Sequence, residues 1–369
     1  MNVLFACDVL KYAYGGVRYY IHELVRQLAA YPDVRLTLFA ERPEELETLP
    51  ADLPRRYVDF GRTPFRIFNY LTVSGRHFAE YDLIHFPFSN VYLAMSWAML
   101  RPGGPKFVVT VHDLIPLVMP EYRTPTLGLF YRFWFPRILR RASAVLADSR
   151  YTKDDLHRHF RVPDDKVVVS HLGLNAQFRG IVPVREKRPF FLAVSTVEPR
   201  KNFERTVRAF LKFKETTPGW AGTLKLVGKM LPGNHALLDL VARNPGHVEL
   251  LGPIGDADLA DLYRHATGLI YPSLYEGFGL PVLEAMAVGC PVVTSETTSI
   301  PEVGGDAVVY VDPLSVESIA GGVRAVALDA DLRTRLIDGG LARAGQFSWE
   351  KCAAGVREVY YRAVGRTPP

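Results

Sequence analysis

Short apolar runs alternate with stretches of helical spacing along this chain, and they do so in two separate series. The first series predicts strands at Val3–Cys7, Val34–Ala40, Arg56–Phe60, Leu83–Phe86, Phe107–Val111, Ala144–Asp148 and Val167–Ser170. Between them, Gly16–Ala30, Phe65–Tyr81, Leu127–Arg141 and Thr152–Phe160 read as helices. The pattern breaks over Asn175–Pro189, where Pro183, Arg185, Lys187, Arg188 and Pro189 interrupt the apolar periodicity. It restarts with strands at Phe190–Val194, Thr223–Val227, Val248–Leu251, Leu269–Tyr271, Val292–Thr294 and Val308–Val311, and with a helix over Phe203–Lys214. Such alternation predicts mostly parallel sheets covered on both faces. A chain of 369 residues is too long for one typical core. We therefore expect an α/β protein of two doubly wound, Rossmann-like domains, residues 1–178 and 179–346, facing a central cleft. Residues 347–369 carry a final helix, expected from Trp349 to about Val364, whose N-cap is Ser348. In each domain a ligand belongs at the carboxyl ends of the strands.

Composition removes several classes. Hydrophobic residues make up 48% and charged residues 22%, which is ordinary for a globular chain. Met1–Cys7 has no basic start and reads as a strand, not a leader peptide; no run of about 18 apolar residues predicts a membrane span. Cys7, Cys290 and Cys352 are scattered, so we expect no disulfide framework and a reducing, cytoplasmic setting. The net charge of +5 permits an anionic partner without requiring one. No basic helix, zinc pattern or aromatic RNA-binding motif points to nucleic acid. Asp256-Ala-Asp258 resembles a metal motif, but Leu259–Tyr263 follows at helical spacing, so both aspartates read as helix N-terminal residues. We expect no metal site and no cofactor.

One stretch carries the chemistry. Gly268–Pro272 reads as a buried strand, Pro281 suits the first turn of a helix, and Gly289 suits its end. Glu276-Gly277-Phe278-Gly279-Leu280 is then a glycine-bearing loop leading into a helix N-terminus. Backbone N–H groups and the positive end of the helix dipole make that an anion site. Glu276 and Glu284 flank it; they cannot bind phosphate but can accept hydrogen bonds from sugar hydroxyls. The combination suggests a nucleotide-sugar.

Three further segments sit at expected strand ends. Tyr14-Gly15-Gly16-Val17-Arg18 opens the first helix; its glycines let a backbone approach phosphate closely, or simply make a turn. His112 follows the strand Phe107–Val111, where it is either a core histidine or a ligand-facing one. Its neighbour Asp113 either orients that ring or caps the next turn. Ser195-Thr-Val-Glu-Pro-Arg-Lys-Asn202 follows the first strand of the second domain; Arg200 and Lys201 either neutralise a diphosphate or are solvated loop charges. Pro125–Arg141 and Arg62–Tyr70 mix aromatic and basic residues, which leaves a peripheral membrane contact open beside a partly buried helix.

The string from Glu276 to Glu284, with Gly-Phe-Gly-Leu-Pro inside, resembles the E-x7-E motif of retaining family 4 glycosyltransferases. The resemblance covers nearly the whole chain and is most specific in the second half. It implies the GT-B architecture, with the acceptor in the first domain, the nucleotide-sugar in the second, and the last helix returning to the first. It implies transfer of a hexose from a nucleoside diphosphate sugar to a hydroxyl of a glycan or lipid-linked acceptor, without metal. Retention in such enzymes is assigned to front-side attack, the leaving phosphate helping to take the acceptor proton. Residue by residue, it places Gly15 and Gly16 against the donor phosphates and His112 and Glu276 on the transferred sugar. Glu284 falls on the ribose, and Gly277, Phe278, Gly279 and Leu280 fall on the donor. Lys201 matches the family's phosphate-binding pair; Arg200 matches it only in part, since Ser195-Thr196 stands where many members have Gly-Arg. The Glu-Pro-Arg-Lys-Asn form is similar to mannosyltransferase-like members, which makes GDP-mannose the first expectation for the donor and a UDP-hexose the second. A non-catalytic solute- or nucleotide-binding protein with the same sheet pattern is the rival reading, and a nicotinamide oxidoreductase a third, disfavoured by the missing dinucleotide fingerprint.

Overall fold

The structure, a computed structural model, describes residues 1–11, 15–58, 78–88, 97–100 and 102–369. They form two compact units, Met1–Gly173 with Ser348–Pro369, and Leu174–Phe347. The helix expected over Phe65–Tyr81 and the aromatic-basic segment Arg62–Tyr70 lie wholly or mostly outside the described residues, as does Tyr14.

The first unit is built on strands β1 (Asn2–Ala6), β2 (Arg35–Ala40), β3 (Arg55–Tyr57), β4 (Leu83–Phe86), β5 (Phe107–Val111), β6 (Ala144–Ala147) and β7 (Val167–Val169). Their order is β3-β2-β1-β4-β5-β6-β7, and the pairs are parallel. The second unit uses β8 (Arg188–Val194), β9 (Thr223–Val227), β10 (Val248–Gly252), β11 (Ala266–Tyr271), β12 (Val292–Ser295) and β13 (Val309–Val311), ordered β10-β9-β8-β11-β12-β13 and again parallel. Central strands such as β5, β6, β11 and β12 are buried along their whole length. That is why they read as mostly apolar runs, with only small hydroxyl residues such as Thr110, Thr267 and Thr294 among them: parallel sheets are covered on both faces. In each sheet the strand order reverses direction once, between β1 and β4 and between β8 and β11. The crevice at such a reversal is where loops from adjacent strands part and a ligand can enter.

The helix expected over Leu127–Arg141 is not continuous. It is divided into Pro125–Leu129, a wider turn over Phe130–Trp134, and Phe135–Arg141. Pro136 supplies the reason, since it has no N–H to give to the preceding turn. The apolar side is nonetheless kept: Phe130, Tyr131, Phe135, Ile138 and Leu139 join the core of the first unit.

The final helix, Trp349–Ala363, is capped by Ser348, whose Oγ accepts from Lys351 N at 3.2 Å. It lies in the first unit. Trp349 and Tyr360 are fully buried there, and Arg357 pairs with Asp33 at 2.8 Å. Gly173 makes the seat: a Cβ at that position would fall 2.1 Å from Trp349 N. Among the described residues no helix is long and apolar enough to cross a membrane.

Candidate functional site

Adjacent strands deliver the residues of the second unit's site. β8 and β11 flank the reversal point, and their carboxyl ends run into Ser195–Asn202 and Pro272–Gly279. Residues 75 positions apart therefore meet: Lys201 Nζ lies 2.6 Å from Glu276 Oε1. That same oxygen accepts from Ser273 Oγ at 2.6 Å and Tyr271 OH at 2.7 Å. Arg200 donates to Glu276 Oε2 at 3.0 Å and pairs with Glu198 at 2.6 Å, so it is turned inward and is not a solvated loop charge. Glu276 and Lys201 are both buried. Burial alone would push the Glu276 carboxyl up, but Lys201 and Arg200 outweigh it and hold the carboxyl at about 2. Glu276 is a fixed carboxylate.

The loop holding Glu276 is itself held from β12. Glu276 N donates to Thr298 Oγ1 at 3.1 Å, Ser299 Oγ lies 2.9 Å from Glu276 O and 3.0 Å from Phe278 O, and Ser295 Oγ donates to Ser273 O at 2.6 Å. Phe278 packs edge-on against Phe347. Gly279, at φ 112°, turns the chain into the helix Leu280–Ala287, in a conformation that L side chains rarely adopt. Gly277, Phe278, Gly279 and Leu280 thus lie at the helix N-terminus, where backbone N–H groups and the dipole favour an anion.

Glu284 sits one turn into that helix, in a different setting. It accepts from Asn175 Nδ2 at 3.3 Å, and among the described residues no cation stands beside it in the way that Lys201 stands beside Glu276. Burial, with Asp256 adding repulsion, pushes its carboxyl up to about 8 against the lowering effect of Asn175. At neutral pH it is mostly protonated. Asn175 Oδ1 and Tyr263 OH are both buried without a hydrogen-bond partner among the described residues. Asp256 and Asp258 occupy the first turn of the helix Asp256–His265.

In the first unit, Gly15 caps the helix Gly16–Ala29 and is exposed beyond the end of β1. His112 follows β5 directly and is 8% exposed. Val111 is in register with Ala147, so the next residues, His112 and Asp148, emerge side by side. His112 Nδ1 lies 2.7 Å from Asp148 Oδ2, and Nε2 lies 2.8 Å from the Pro87 carbonyl. Of the two options for Asp113, the structure selects capping: its Oδ1 accepts from Ile115 N at 3.0 Å. Asp148, 36 residues away in sequence, orients the ring instead. Burial would lower the imidazole's affinity for its second proton; Asp148 more than reverses this and the net shift is upward.

With this geometry in view, comparison with known proteins is decisive. Residues 14–178 match the model of Glycosyltransferase Family 4, and residues 175–343 that of Glycosyl transferases group 1. O-antigen chain mannosyltransferase B of Escherichia coli is 30% identical across 98% of this chain and 99% of that protein. The chain is a family 4 glycosyltransferase. Its fold is that of solved structures with lower identity. Sucrose-phosphate synthase from Thermosynechococcus elongatus superposes with a TM-score of 0.79 at 20% identity, covering 98% of both chains. HepE from Anabaena, solved in complex with UDP and glucose, superposes with a TM-score of 0.76 at 19% identity, covering 97% of this chain and 98% of the other. Both domains thus have the GT-B architecture.

Several residues that shape the glycosyltransferase's site are not legible in its sequence. Tyr271 and Ser273 belong to a recognisable strand end, but their bonds to Glu276 depend on how the loop folds back. Thr294-Ser-Glu-Thr-Thr-Ser299 is a visible run of polar residues after a buried strand. In a doubly wound sheet that position faces the ligand crevice, and this is the signal that could have found it. Asp148 and Asn175 have none: each is a single polar residue whose partner is distant in sequence.

Proposed function

We propose that this glycosyltransferase is a retaining hexosyltransferase that moves mannose from GDP-mannose to a hydroxyl of a glycan or lipid-linked acceptor in polysaccharide biosynthesis. The single observation that carries the reading is the Lys201–Glu276–Arg200 cluster, set at the reversal of the β8–β11 sheet and beside the N-terminus of the helix Leu280–Ala287. It joins a carboxylate for sugar hydroxyls to cations and backbone N–H groups for a diphosphate. Mannose is favoured because the full-length relative bears the name of a mannosyltransferase. A UDP-hexose is the second candidate, since HepE was solved in complex with UDP and glucose.

In this reading the second domain holds the donor diphosphate through Lys201, Arg200 and the N–H groups of Gly277–Leu280, and Gly15 and Gly16 are the first domain's own candidates for a phosphate. These groups offset the charge that grows on the leaving diphosphate, in fixed orientation and out of bulk water. That is the work a divalent ion does elsewhere, and we propose that transfer here is metal-independent. Glu276 and His112 act on the hexose, and Glu284 on the ribose. The first domain takes the acceptor. Leu129 and Phe133 are exposed one turn apart, beside the exposed Arg132, Arg137 and Arg140, which supports peripheral contact with an anionic inner membrane face in the cytoplasm.

The test is a thermal-shift series with GDP, UDP, ADP and their sugars, followed by transfer assays with the best donor with and without a chelator. A ligand that binds only the native state raises the midpoint. GDP and GDP-mannose are expected to raise it most, the product to keep the donor's anomeric configuration, and the chelator to leave the rate unchanged. A larger shift with UDP compounds reassigns the donor. Loss of rate in chelator, restored by magnesium or manganese, removes metal independence.

A further inference from the structure

The surroundings of His112 assign its protonation. Each of its ring nitrogens faces an acceptor, a carboxylate oxygen of Asp148 at 2.7 Å and the Pro87 carbonyl at 2.8 Å. Neither acceptor brings a hydrogen, so each contact needs an N–H from the ring. A neutral imidazole has one N–H; the imidazolium has two. With Asp148 as a carboxylate, only the imidazolium supplies an N–H to each of the two acceptors. Nearby His85 is the contrast. Its nitrogens lie 2.5 Å from Tyr360 OH and 2.8 Å from Thr110 Oγ1, hydroxyls that can donate as well as accept. A neutral ring satisfies both, and burial together with the charge of His112 holds His85 at about 3.

We propose that Asp148 is a positioning residue that keeps His112 doubly protonated, so that His112 serves the transfer as a charged hydrogen-bond donor and not as a base. The proposal rests on the reading that His112 acts on the transferred hexose. The groups around the ring come from four elements. Asp148 follows β6, Pro87 and Phe88 follow β4, Tyr20 lies on the first helix with its ring 4.9 Å away, and Asp113 follows His112 itself. Of these, the two aspartates favour the charged ring, and Asp148 touches it. Thr152 Oγ1 donates to the His112 carbonyl at 3.2 Å and fixes the backbone beneath.

The consequence is chemical. An imidazolium has no lone pair with which to take the acceptor proton. The acceptor oxygen forms its bond to the sugar's anomeric carbon, the bond from that carbon to the diphosphate oxygen breaks, and the proton passes to the leaving diphosphate. His112 contributes an N–H to a donor oxygen, which replaces the Pro87 carbonyl at Nε2, while Asp148 keeps Nδ1 and the ring plane in place.

The test reads the ring itself. In protein labelled with ¹⁵N-histidine, the His112 signal is assigned by its loss in His112→Gln and followed from about pH 5 to about pH 9, in the wild type, Asp148→Asn and Asp148→Glu. The wild type is expected to show both ring nitrogens protonated at pH 7. Asp148→Asn is expected to lower the midpoint by about one pH unit or more, and Asp148→Glu to restore it in part. Transfer by Asp148→Asn is expected to fall roughly tenfold or more between about pH 6 and pH 8 beyond any change in the wild type. A neutral His112 at pH 7 in the wild type overturns the proposal without any variant, as does an unmoved midpoint in a folded Asp148→Asn. Wild-type turnover by His112→Ala is a different result: it removes His112 from the reaction while the ring titration still stands.

Discussion

Glu276 and Glu284 lie eight positions apart in one motif and are buried to the same degree, at 6% and 7% exposure. Their carboxyls nonetheless move in opposite directions, one to about 2 and the other to about 8. Burial penalises the charged form of both. What differs is the company: Glu276 has Lys201, Arg200, Tyr271 and Ser273 within hydrogen-bond reach, whereas Glu284 has the neutral amide of Asn175 and the unfavourable charge of Asp256. In the proposed roles, the carboxylate for the hexose is kept ionised by the same cations that would suit a diphosphate. In the same proposal, the carboxyl for the ribose is held protonated before a ligand brings hydrogen-bond donors to it.

The largest effect expected comes from removing the cation that makes the contrast. Lys201→Met leaves Glu276 buried with Arg200 alone, and breaking one side of a buried pair costs about 3–5 kcal/mol. At pH 7 the thermal midpoint should fall well below that of the wild type. The sign with pH follows from the shift. Glu276 has a folded-state value below its ordinary 4.5, so the stability it contributes is full above 4.5 and is lost as pH falls towards about 2. The wild type and Lys201→Met should therefore converge in acid; equal midpoints at pH 7 would show that the cluster does not stabilise the fold.

Next is the nucleotide. Free nucleoside diphosphate has a ribose and no hexose, so Glu284→Gln should weaken its binding by roughly tenfold to a hundredfold, the worth of about 1.5–3 kcal/mol for charged hydrogen bonds, and Glu276→Gln should change it little. Because the Glu284 carboxyl lies at about 8 before nucleotide binds, binding to wild type should tighten from about pH 6 to pH 8, with release of a proton, and Glu284→Gln should flatten that slope. Stability runs the other way. A raised folded-state value gives stability that is full below 4.5 and lost as pH rises through about 8, so Glu284→Gln should gain on the wild type in alkali. Calorimetry with nucleotide alone at several pH values decides; damage to nucleotide binding from Glu276→Gln and not from Glu284→Gln would exchange the two roles.

The smallest effect sharpens the comparison from its quiet side. Asn175→Ala removes the amide that donates to Glu284 and should cost about 1 kcal/mol, measured by denaturant unfolding at pH 7. It should also move the pH range over which nucleotide binding tightens upward, since Asn175 lowers the Glu284 carboxyl. An unchanged pH range would mean that the bond at 3.3 Å does not govern that carboxyl.

Much of this molecule is legible without coordinates. Strands such as Leu83–Phe86, Phe107–Val111 and Thr223–Val227 can be read to the residue, because strands of a sheet covered on both faces are short and mostly apolar, even where a His85, Thr110 or Lys225 stands among the apolar residues. The loop at Glu276 is legible because a glycine pair and a proline announce a strand-to-helix turn locally. Leu127–Arg141 reads as one helix because its apolar spacing survives the interruption at Pro136, and spacing reports the face of a helix better than its backbone bonds. Asp113 suggests itself as the partner of His112 because it is next in sequence, a poor guide at a strand end, where successive side chains point apart.

The sequence by itself determined what local physics can write: two series of parallel strands and helices, their carboxyl-end loops, and a motif specific enough to name a family. Tertiary structure alone decided which polar groups meet. Lys201 reaches Glu276 across 75 positions, Asp148 reaches His112 across 36, and Tyr360 reaches His85 across 275. Periodicity acts over a few residues, whereas the state of a buried acid or imidazole depends on the groups within hydrogen-bond reach of it. Those groups are set by strand order and register. The same residue type in one motif can therefore end as a carboxylate at position 276 and a neutral acid at position 284.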